Sequence, residues 1–305
     1  MDLPQALAAE LEAAPRLVEV QLEAAAGSGV ELGDCVVAVG SGDSYAAALV
    51  AQAASGGRVV ALDPYEAAVS GLVERLAGRG CGLLALSVGG RTRAVVEAAE
   101  RARRAGGRVV AVTANPASPL AGAADVVVKL VYGSLAAGVG AARHLAMLAA
   151  LAGLYGYRGG LPGGWERVDC GFLGAETHAG ALEAGGSSLF AVLKLYEAFG
   201  SQARWWPLEQ LLHAPVYSAH SLALYEPSQR EAWERTLEAV EAARRAGQRV
   251  SVVPRLSPDP WGNALAQAAA VLSCLAVMAE RLGAREPAYR RHRGLGDYTR
   301  LIYHA

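Results

Sequence analysis

The chain has 305 residues, a formal net charge of −1 and 53% hydrophobic residues. This length and composition suit two packed α/β domains and exclude an intrinsically disordered chain. The near-zero net charge argues against a nucleic-acid-binding surface. The richest basic cluster, Arg290–Arg293, is also too short to form one.

The apolar segments do not predict membrane insertion. The N-terminus lacks a signal-peptide pattern, since its acidic residues, Glu10 among them, follow an amphipathic spacing. The stretches Leu145–Leu154 and Ala264–Ala279 are shorter than a membrane span or interrupted by charge. We therefore expect a cytoplasmic protein that contacts neither membrane nor nucleic acid.

Four cysteines are scattered along the chain: Cys35, Cys81, Cys170 and Cys274. No two have metal-ligand spacing, so no metal site is expected, and three of them sit in or beside apolar runs, which predicts a core role. Scarce asparagine is compatible with a thermophilic source, although scarce lysine argues the other way. In a thermophilic protein Cys35 and Cys81 can form a disulfide.

The first half alternates strand and helix patterns joined by short connections. The predicted strands are Cys35–Val39, Arg58–Leu62, Gly82–Leu86, Val109–Thr113 and Val126–Leu130. The predicted helices are Ala46–Ala54, Tyr65–Ala77, Arg91–Ala105 and a long helix from Leu135 to about Tyr155. Fully apolar strands that alternate with helices indicate a parallel sheet covered on both faces.

The second half is less regular. A glycine-rich linker at 156–164 divides the chain into predicted domains 1–157 and 158–305. Beyond it we predict a helix or strand-to-helix element at Leu189–Phe199, a break at Trp205–Pro207, a helix at Gln229–Ala246, a strand at Val250–Pro254 and a helix at Ala264–Leu282. This domain could be a smaller copy of the first, with Gly185–Ser188 only a faint counterpart of the loops described next.

The loop that joins the third strand to its helix, Ser87–Thr92, is a candidate anion site and is called the Ser87 loop. The unpaired N–H groups and the dipole of the helix that follows attract an anion. Gly89 and Gly90 let the backbone approach a ligand, and the Ser87 and Thr92 hydroxyls can donate to phosphate. Alternatively, the serine only caps the helix and the glycines only make the turn. Arg91 is either a phosphate ligand or a solvent-exposed first-turn residue.

A second loop, Gly40–Tyr45, follows the first strand and carries Gly42 and Ser44. In parallel sheets ligands bind at the carboxyl ends of the strands, near the point where strand order reverses. Both loops lie at carboxyl ends, which favours phosphate binding by Ser44 together with the Ser87 loop.

These loops, together with Ala123–Val128, resemble the sugar isomerase (SIS) domain of phosphosugar enzymes. The resemblance implies two flavodoxin-like, three-layer α/β/α domains with mostly parallel sheets. Two such domains in about 300 residues resemble the archaeal bifunctional phosphoglucose/phosphomannose isomerases. Such enzymes need no cofactor, and they are homodimers whose composite sites take a histidine from the neighbouring subunit.

The second half holds the candidate catalytic residues that the resemblance implies. Glu197 stands where SIS isomerases carry the base, and His213, sixteen residues later, stands where a histidine opens the sugar ring. Lys194 matches the lysine three residues before the base in the isomerase domain of glucosamine-6-phosphate synthase. A carboxylate can move the proton between C1 and C2 through an enediol, histidine exchanges protons near neutral pH, and a cation stabilises the enediolate.

The residues also allow structural interpretations. Glu197 can be an exposed helix residue paired with Lys194, and His213 can be a loop histidine. The chain departs from its relatives where Gly89 replaces the middle serine of the phosphate loop. The family arginine is replaced by glycine, with Arg143 one turn later as a stand-in, and no lysine follows Lys194. Gly42 and Arg143 are the candidate sugar-binding residues.

The predicted function is isomerisation of aldose and ketose hexose 6-phosphates, namely glucose or mannose 6-phosphate and fructose 6-phosphate. One alternative is a non-catalytic protein that binds sugar phosphates and regulates a partner. Another is an amino-sugar phosphate isomerase or deaminase, which rests on the register of Lys194, Glu197 and His213.

Overall fold

The computed structural model describes residues 1–132, 138–291 and 295–303, and these form two compact units. The first unit comprises residues 16–132, Ala146–Arg158 and 295–303. The second comprises Met1–Pro15, 138–145 and Gly159–Arg291. Two helices, α1 (Leu3–Ala26) and α7 (Ala141–Leu154), contribute residues to both units. The domain boundary near residue 157 stays a prediction.

The first unit is built on five strands. They are β1 (Val36–Gly40), β2 (Val59–Leu62), β3 (Gly82–Leu86), β4 (Val109–Thr113) and β5 (Val126–Lys129). The helices that join them are α2 (Asp43–Ala54), α3 (Pro64–Val69), α4 (Leu72–Ala77), α5 (Arg93–Arg104) and α6 (Pro119–Ala123), and α12 (Leu295–Ile302) follows near the end of the chain.

The five strands form one parallel sheet in the order β2-β1-β3-β4-β5. The order reverses between β1 and β3, so the crevice at their carboxyl ends is the switch point of the sheet. Every residue of β1 and β4 is buried. This burial follows from the all-apolar strands, since helices must cover both faces of a parallel sheet.

The second unit holds four strands and the remaining helices. The strands are β6 (Thr177–Gly180), β7 (Arg204–Pro207), β8 (Ser221–Tyr225) and β9 (Arg249–Val253). The helices are α8 (Glu183–Phe199), α9 (Leu208–His213), α10 (Arg230–Arg245) and α11 (Pro260–Arg281). All strand pairs are parallel, in the order β7-β6-β8-β9. The molecule is therefore an α/β protein with two parallel sheets of the flavodoxin-like type.

Several predicted elements need correction. The helix expected over Tyr65–Ala77 is two short helices, because Gly71 adopts φ 66° and breaks the chain between them. The expected break at Trp205–Pro207 is the strand β7, which tolerates a proline at its end because it lies at the edge of the sheet. The Gly185–Ser188 segment lies inside the helix α8 and forms no loop. Residues 135–137 of the long predicted helix lie outside the described residues.

All four cysteines are disulfide-bonded, which includes the Cys35–Cys81 bond considered above, and Cys81 and Cys274 are buried as the prediction of a core role requires. Cys35 pairs with Cys81, and Cys170 pairs with Cys274. Cys35 and Cys81 precede the adjacent strands β1 and β3, and this parallel pairing brings their Cα atoms within 4.7 Å.

Among the described residues, α11 is the one helix long and apolar enough to cross a membrane by length and composition. Its most apolar window is 78% buried within the protein. Burial on this scale is typical of a core helix, and α11 packs against α8 in the second unit.

Candidate functional site

The Ser87 loop joins β3 to α5 at the switch point of the first sheet. The Ser87 and Thr92 side chains are buried, and their hydroxyl oxygens lie 3.0 Å apart. Thr92 is the N-cap residue of α5, yet its side chain makes no capping hydrogen bond. Both hydroxyls therefore lie together at the positive end of a helix, as the sequence predicts for an anion site.

Neighbouring groups fix the shape of this loop. The Gly90 N–H donates to Ser87 O, and the Leu120 N–H donates to Gly90 O. The Thr113 hydroxyl, at the end of β4, donates to Val88 O over 3.1 Å. These bonds hold the loop in one conformation before any ligand arrives, which lowers the entropy lost on binding.

The two glycines of the loop meet different surroundings. Gly90 has φ +65°, and an added Cβ would lie 2.0 Å from Ser118 Oγ. Gly89 has open space, with nothing within 4 Å of an added Cβ. Gly90 is thus required by the turn, whereas Gly89 leaves room for the serine that related loops carry there.

The Gly40–Tyr45 loop lies at the same end of the sheet, since Gly40 is in register with Leu86 on β3. Gly42 precedes α2 with φ 56° and ψ −123°, and the Ser44 side chain is buried in the first turn of that helix. The structure thus brings Ser44 and the Ser87 loop to adjacent strand ends. The Arg91 residue of the Ser87 loop is exposed to solvent.

One neighbour of the loop was missed by the sequence analysis. Tyr303 forms an isolated antiparallel bridge with Thr92, and α12, which precedes Tyr303, packs against α5. No local pattern marks this contact, because the two residues are far apart in the chain.

In the second unit, Lys194 and Glu197 lie three residues apart on α8. Lys194 Nζ donates to Glu197 Oε2 over 2.5 Å and to Val139 O over 2.6 Å. The lysine side chain is 1% exposed and the glutamate 38% exposed. The lysine bond fixes one end of the carboxylate, while the carboxylate stays partly open to solvent. This arrangement suits a general base.

Arg143 lies in the first turn of α7, whose N-terminus is capped by Glu10. The Glu10 carboxylate accepts the N–H groups of Gly138 and Ala142 over 2.9 and 2.8 Å. Burial raises the pKa of Glu10, and the positive charges of Lys194 and Arg143 partly offset that effect. The two cations predicted for the site therefore act on the same buried carboxyl group.

His213 stands apart from this group. It ends α9 with a side chain 73% exposed, and its Nε2 lies 3.4 Å from Glu209 one turn earlier. Its ion-pair partner is thus on its own helix, whereas Lys194 and Glu197 pair with each other on α8. The described part also holds no group of three or more His, Cys, Asp or Glu residues placed to bind a metal ion.

Comparison with known proteins finds a family model that matches the first sheet. Residues 34–152, which span β1 to most of α7, match the SIS domain. The match includes both candidate phosphate loops.

Individual proteins are similar to this chain in sequence over a short segment or in fold over most of its length. A 46-residue segment is 56% identical to 3-hexulose-6-phosphate isomerase from Mycobacterium gastri, and it spans 15% of this chain and 23% of that protein. The structure resembles a candidate phosphosugar isomerase from Silicibacter pomeroyi, with a TM-score of 0.73 and 19% identity over 93% of this chain and 99% of the other. It also resembles tagatose-6-phosphate ketose/aldose isomerase from Escherichia coli, with a TM-score of 0.66 and 14% identity over 88% and 92% of the two chains. The fold likeness thus extends well beyond residues 34–152.

Proposed function

We propose that this chain is a phosphosugar isomerase that interconverts aldose and ketose hexose 6-phosphates. The observation that carries the proposal is the Ser87 loop, a preformed pair of buried hydroxyls at a helix N-terminus within an SIS domain. The carboxylate of Glu197, held by a buried lysine, supplies the base that the reaction needs.

Each residue has one chemical task in this proposal. Ser44 and the Ser87 loop bind the phosphate and hold the sugar carbons still. Glu197 takes the proton from C2 of the open-chain aldose and returns it to C1, and Lys194 offsets the negative charge of the enediolate. His213 opens the ring, and its exposure on one chain is compatible with a role in the site of a second copy.

The sugar is proposed to be glucose or mannose 6-phosphate, in exchange with fructose 6-phosphate. The local likeness to a 3-hexulose-6-phosphate isomerase adds a second ketose to be tested. Both reactions move a proton between adjacent carbons through an enediol, so the same base serves either one.

Product analysis tests the proposal. The protein is incubated separately with fructose, mannose and 3-hexulose 6-phosphates, and the products are separated by ion-exchange chromatography. In the presence of wild-type protein, we expect at least one of these sugar phosphates to reach equilibrium with its aldose or ketose isomer. Glu197→Gln, which keeps the shape of the side chain, should slow the reaction at least a hundredfold. Unchanged activity in this variant would overturn the assignment of the base.

A second candidate function is sugar-phosphate binding without turnover. Two observations favour it: Gly89 offers no hydroxyl to the ligand, and the His213 side chain is 73% exposed and lies 3.4 Å from Glu209 on its own helix. Calorimetry that detects tight binding of several sugar phosphates, with no product from any of them, would support this candidate over the isomerase.

A further inference from the structure

The second unit contains its own switch-point crevice. Its strand order, β7-β6-β8-β9, repeats the order β2-β1-β3-β4 of the first unit. Gly180 ends β6 in register with Tyr225 of β8, just as Gly40 ends β1 in register with Leu86 of β3. The loops after β6 and β8 therefore meet as the two phosphate loops of the SIS domain do.

The backbone of the first of these loops is also repeated. A Cβ on Gly180 would lie 2.3 Å from Ala184 O, and one on Gly40 would lie 2.7 Å from Ser44 Cβ. Two residues after the first glycine, Leu182 has φ 53° and ψ −132°, close to the φ 56° and ψ −123° of Gly42. The second unit thus keeps the same turn although leucine rarely adopts this conformation.

The crevice of the second unit is filled by Glu183, the first residue of α8. Its side chain is buried, and Oε1 accepts the Ser228 N–H over 2.5 Å and Asn263 Nδ2 over 3.0 Å. Ser228 is the third residue after β8, as Gly89 is the third residue after β3. The Glu183 carboxylate therefore binds the loop that corresponds to the Ser87 loop.

The groups around Glu183 are those that bind an oxyanion. They include a main-chain N–H, a side-chain amide, and the N-terminal ends of α8 and α10. Ser228 Oγ is buried and has no hydrogen-bond partner among the described residues, so it keeps a donor to offer. Arg255 Nη1 donates to Ser228 O over 3.4 Å, which brings a guanidinium beside the same loop.

We propose that the second unit has an anion site that the chain closes with its own Glu183 carboxylate. This side chain takes the place of the phosphate that, under the proposed function, the Ser87 loop binds from solution. Each chain then binds one phosphate ester, and removal of Glu183 opens a second site for small oxyanions such as phosphate or formate.

The experiment counts bound inorganic phosphate by calorimetry at constant ionic strength. Wild type should bind one phosphate per chain, and Ser87→Ala/Thr92→Ala should bind none. Adding Glu183→Ala to that double variant should restore one phosphate per chain, and formate should compete for it. Glu183→Asp keeps the charge and Glu176→Ala removes an exposed charge from the same unit, so neither should gain a site.

Two results would overturn the inference. The first is phosphate binding by the Ser87→Ala/Thr92→Ala variant, in which Glu183 is intact, because this would mean that the second crevice is open. This test does not depend on whether Glu183→Ala folds. No gain in the folded triple variant would mean that the crevice is no anion site. Failure of the proposed function looks different, because it appears as absent turnover, or as no phosphate bound by wild type, while the triple variant still gains one phosphate.

Discussion

At the scale of single residues, the Ser87 loop differs from its relatives at a position where the structure leaves space. A serine at residue 89 would meet no atom within 4 Å of its Cβ. No steric clash therefore explains why glycine stands here in place of serine. The substitution Gly89→Ser should raise the affinity of the loop for phosphate esters.

We expect Gly89→Ser to bind phosphate esters about tenfold more tightly. A hydrogen bond to a charged acceptor contributes roughly 1.5–3 kcal/mol, and a tenfold change in affinity corresponds to about 1.4 kcal/mol. Calorimetry with fructose 6-phosphate measures the change. Gly90→Ser is the matched control, because its Cβ overlaps Ser118 and its φ is positive, so it should lower stability and binding. Weaker binding by Gly89→Ser would contradict our account of the loop.

Leu182 is the non-glycine residue with positive φ among those described. Leu182→Gly should raise the free energy of unfolding by about 1 kcal/mol, because relief of roughly 1–3 kcal/mol of backbone strain exceeds the entropy lost with glycine. The reciprocal change, Gly42→Ala, should lower it by a similar amount, since no atom lies near that Cβ. Urea unfolding measures both variants. A destabilised Leu182→Gly would mean that the leucine side chain contributes more than the strain costs.

At the scale of elements, the strands that could be predicted are those formed by an unbroken run of apolar residues. The strands β1, β3 and β4 match their predictions within about one residue, because they are unbroken apolar runs. The strands β6 and β8 were missed, since β6 has four residues with a histidine among them and β8 is a short run between polar loops. Their pairing with neighbours, rather than their own pattern, makes them strands.

The candidate site was predictable to a similar extent. Glycine and hydroxyl residues after an apolar strand marked the Ser87 loop, and the spacing of three residues placed Lys194 beside Glu197. The complete burial of Lys194 and its bond to Val139 O were not predictable, because both depend on residues more than fifty positions away. The contact of Tyr303 with Thr92 was missed for the same reason.

His178 makes the second sheet sensitive to acid. It lies buried on β6, with Nδ1 3.2 Å from the Tyr225 hydroxyl, and burial lowers its pKa to about 4. The unfolded histidine titrates near pH 6.5, so the unfolded state takes up the proton first as the pH falls. The stability that the neutral ring provides is complete above pH 6.5 and is lost as the pH falls toward 4, by about 3 kcal/mol.

Urea unfolding of wild type and His178→Asn between pH 7.5 and 4 tests this prediction. The variant should be less stable at pH 7.5, and it should lose less free energy of unfolding than wild type as the pH falls. Equal losses in the two proteins would exclude His178 as the source of the acid sensitivity.

At the scale of the whole molecule, two disulfides constrain the chain over long separations. Cys35–Cys81 joins residues 46 apart and Cys170–Cys274 joins residues 104 apart. Such bonds are typical of oxidising compartments and of intracellular proteins from hyperthermophiles. The predicted cytoplasmic location is therefore consistent with these disulfides if the predicted thermophilic source is also correct.

Removal of each disulfide should lower the thermal midpoint. In the chain-entropy description, loops of these lengths stabilise the folded state by about 4–5 kcal/mol. Cys35→Ser/Cys81→Ser and Cys170→Ser/Cys274→Ser are compared with wild type by calorimetry, with and without reductant. Reductant should lower the midpoint of wild type toward those of the variants. An unchanged midpoint in both variants would contradict a stabilising role.

In the proposed reaction, Glu197 moves a carbon-bound proton of a sugar phosphate through an enediol. Proton NMR of fructose 6-phosphate in D₂O measures this step directly, because each enediol that re-forms the ketose exchanges hydrogen with the solvent. Wild type should introduce deuterium at C1, and Glu197→Gln should do so at least a hundredfold more slowly. Exchange at the wild-type rate in Glu197→Gln, or none in wild type with any of the tested sugar phosphates, would contradict the proposed reaction.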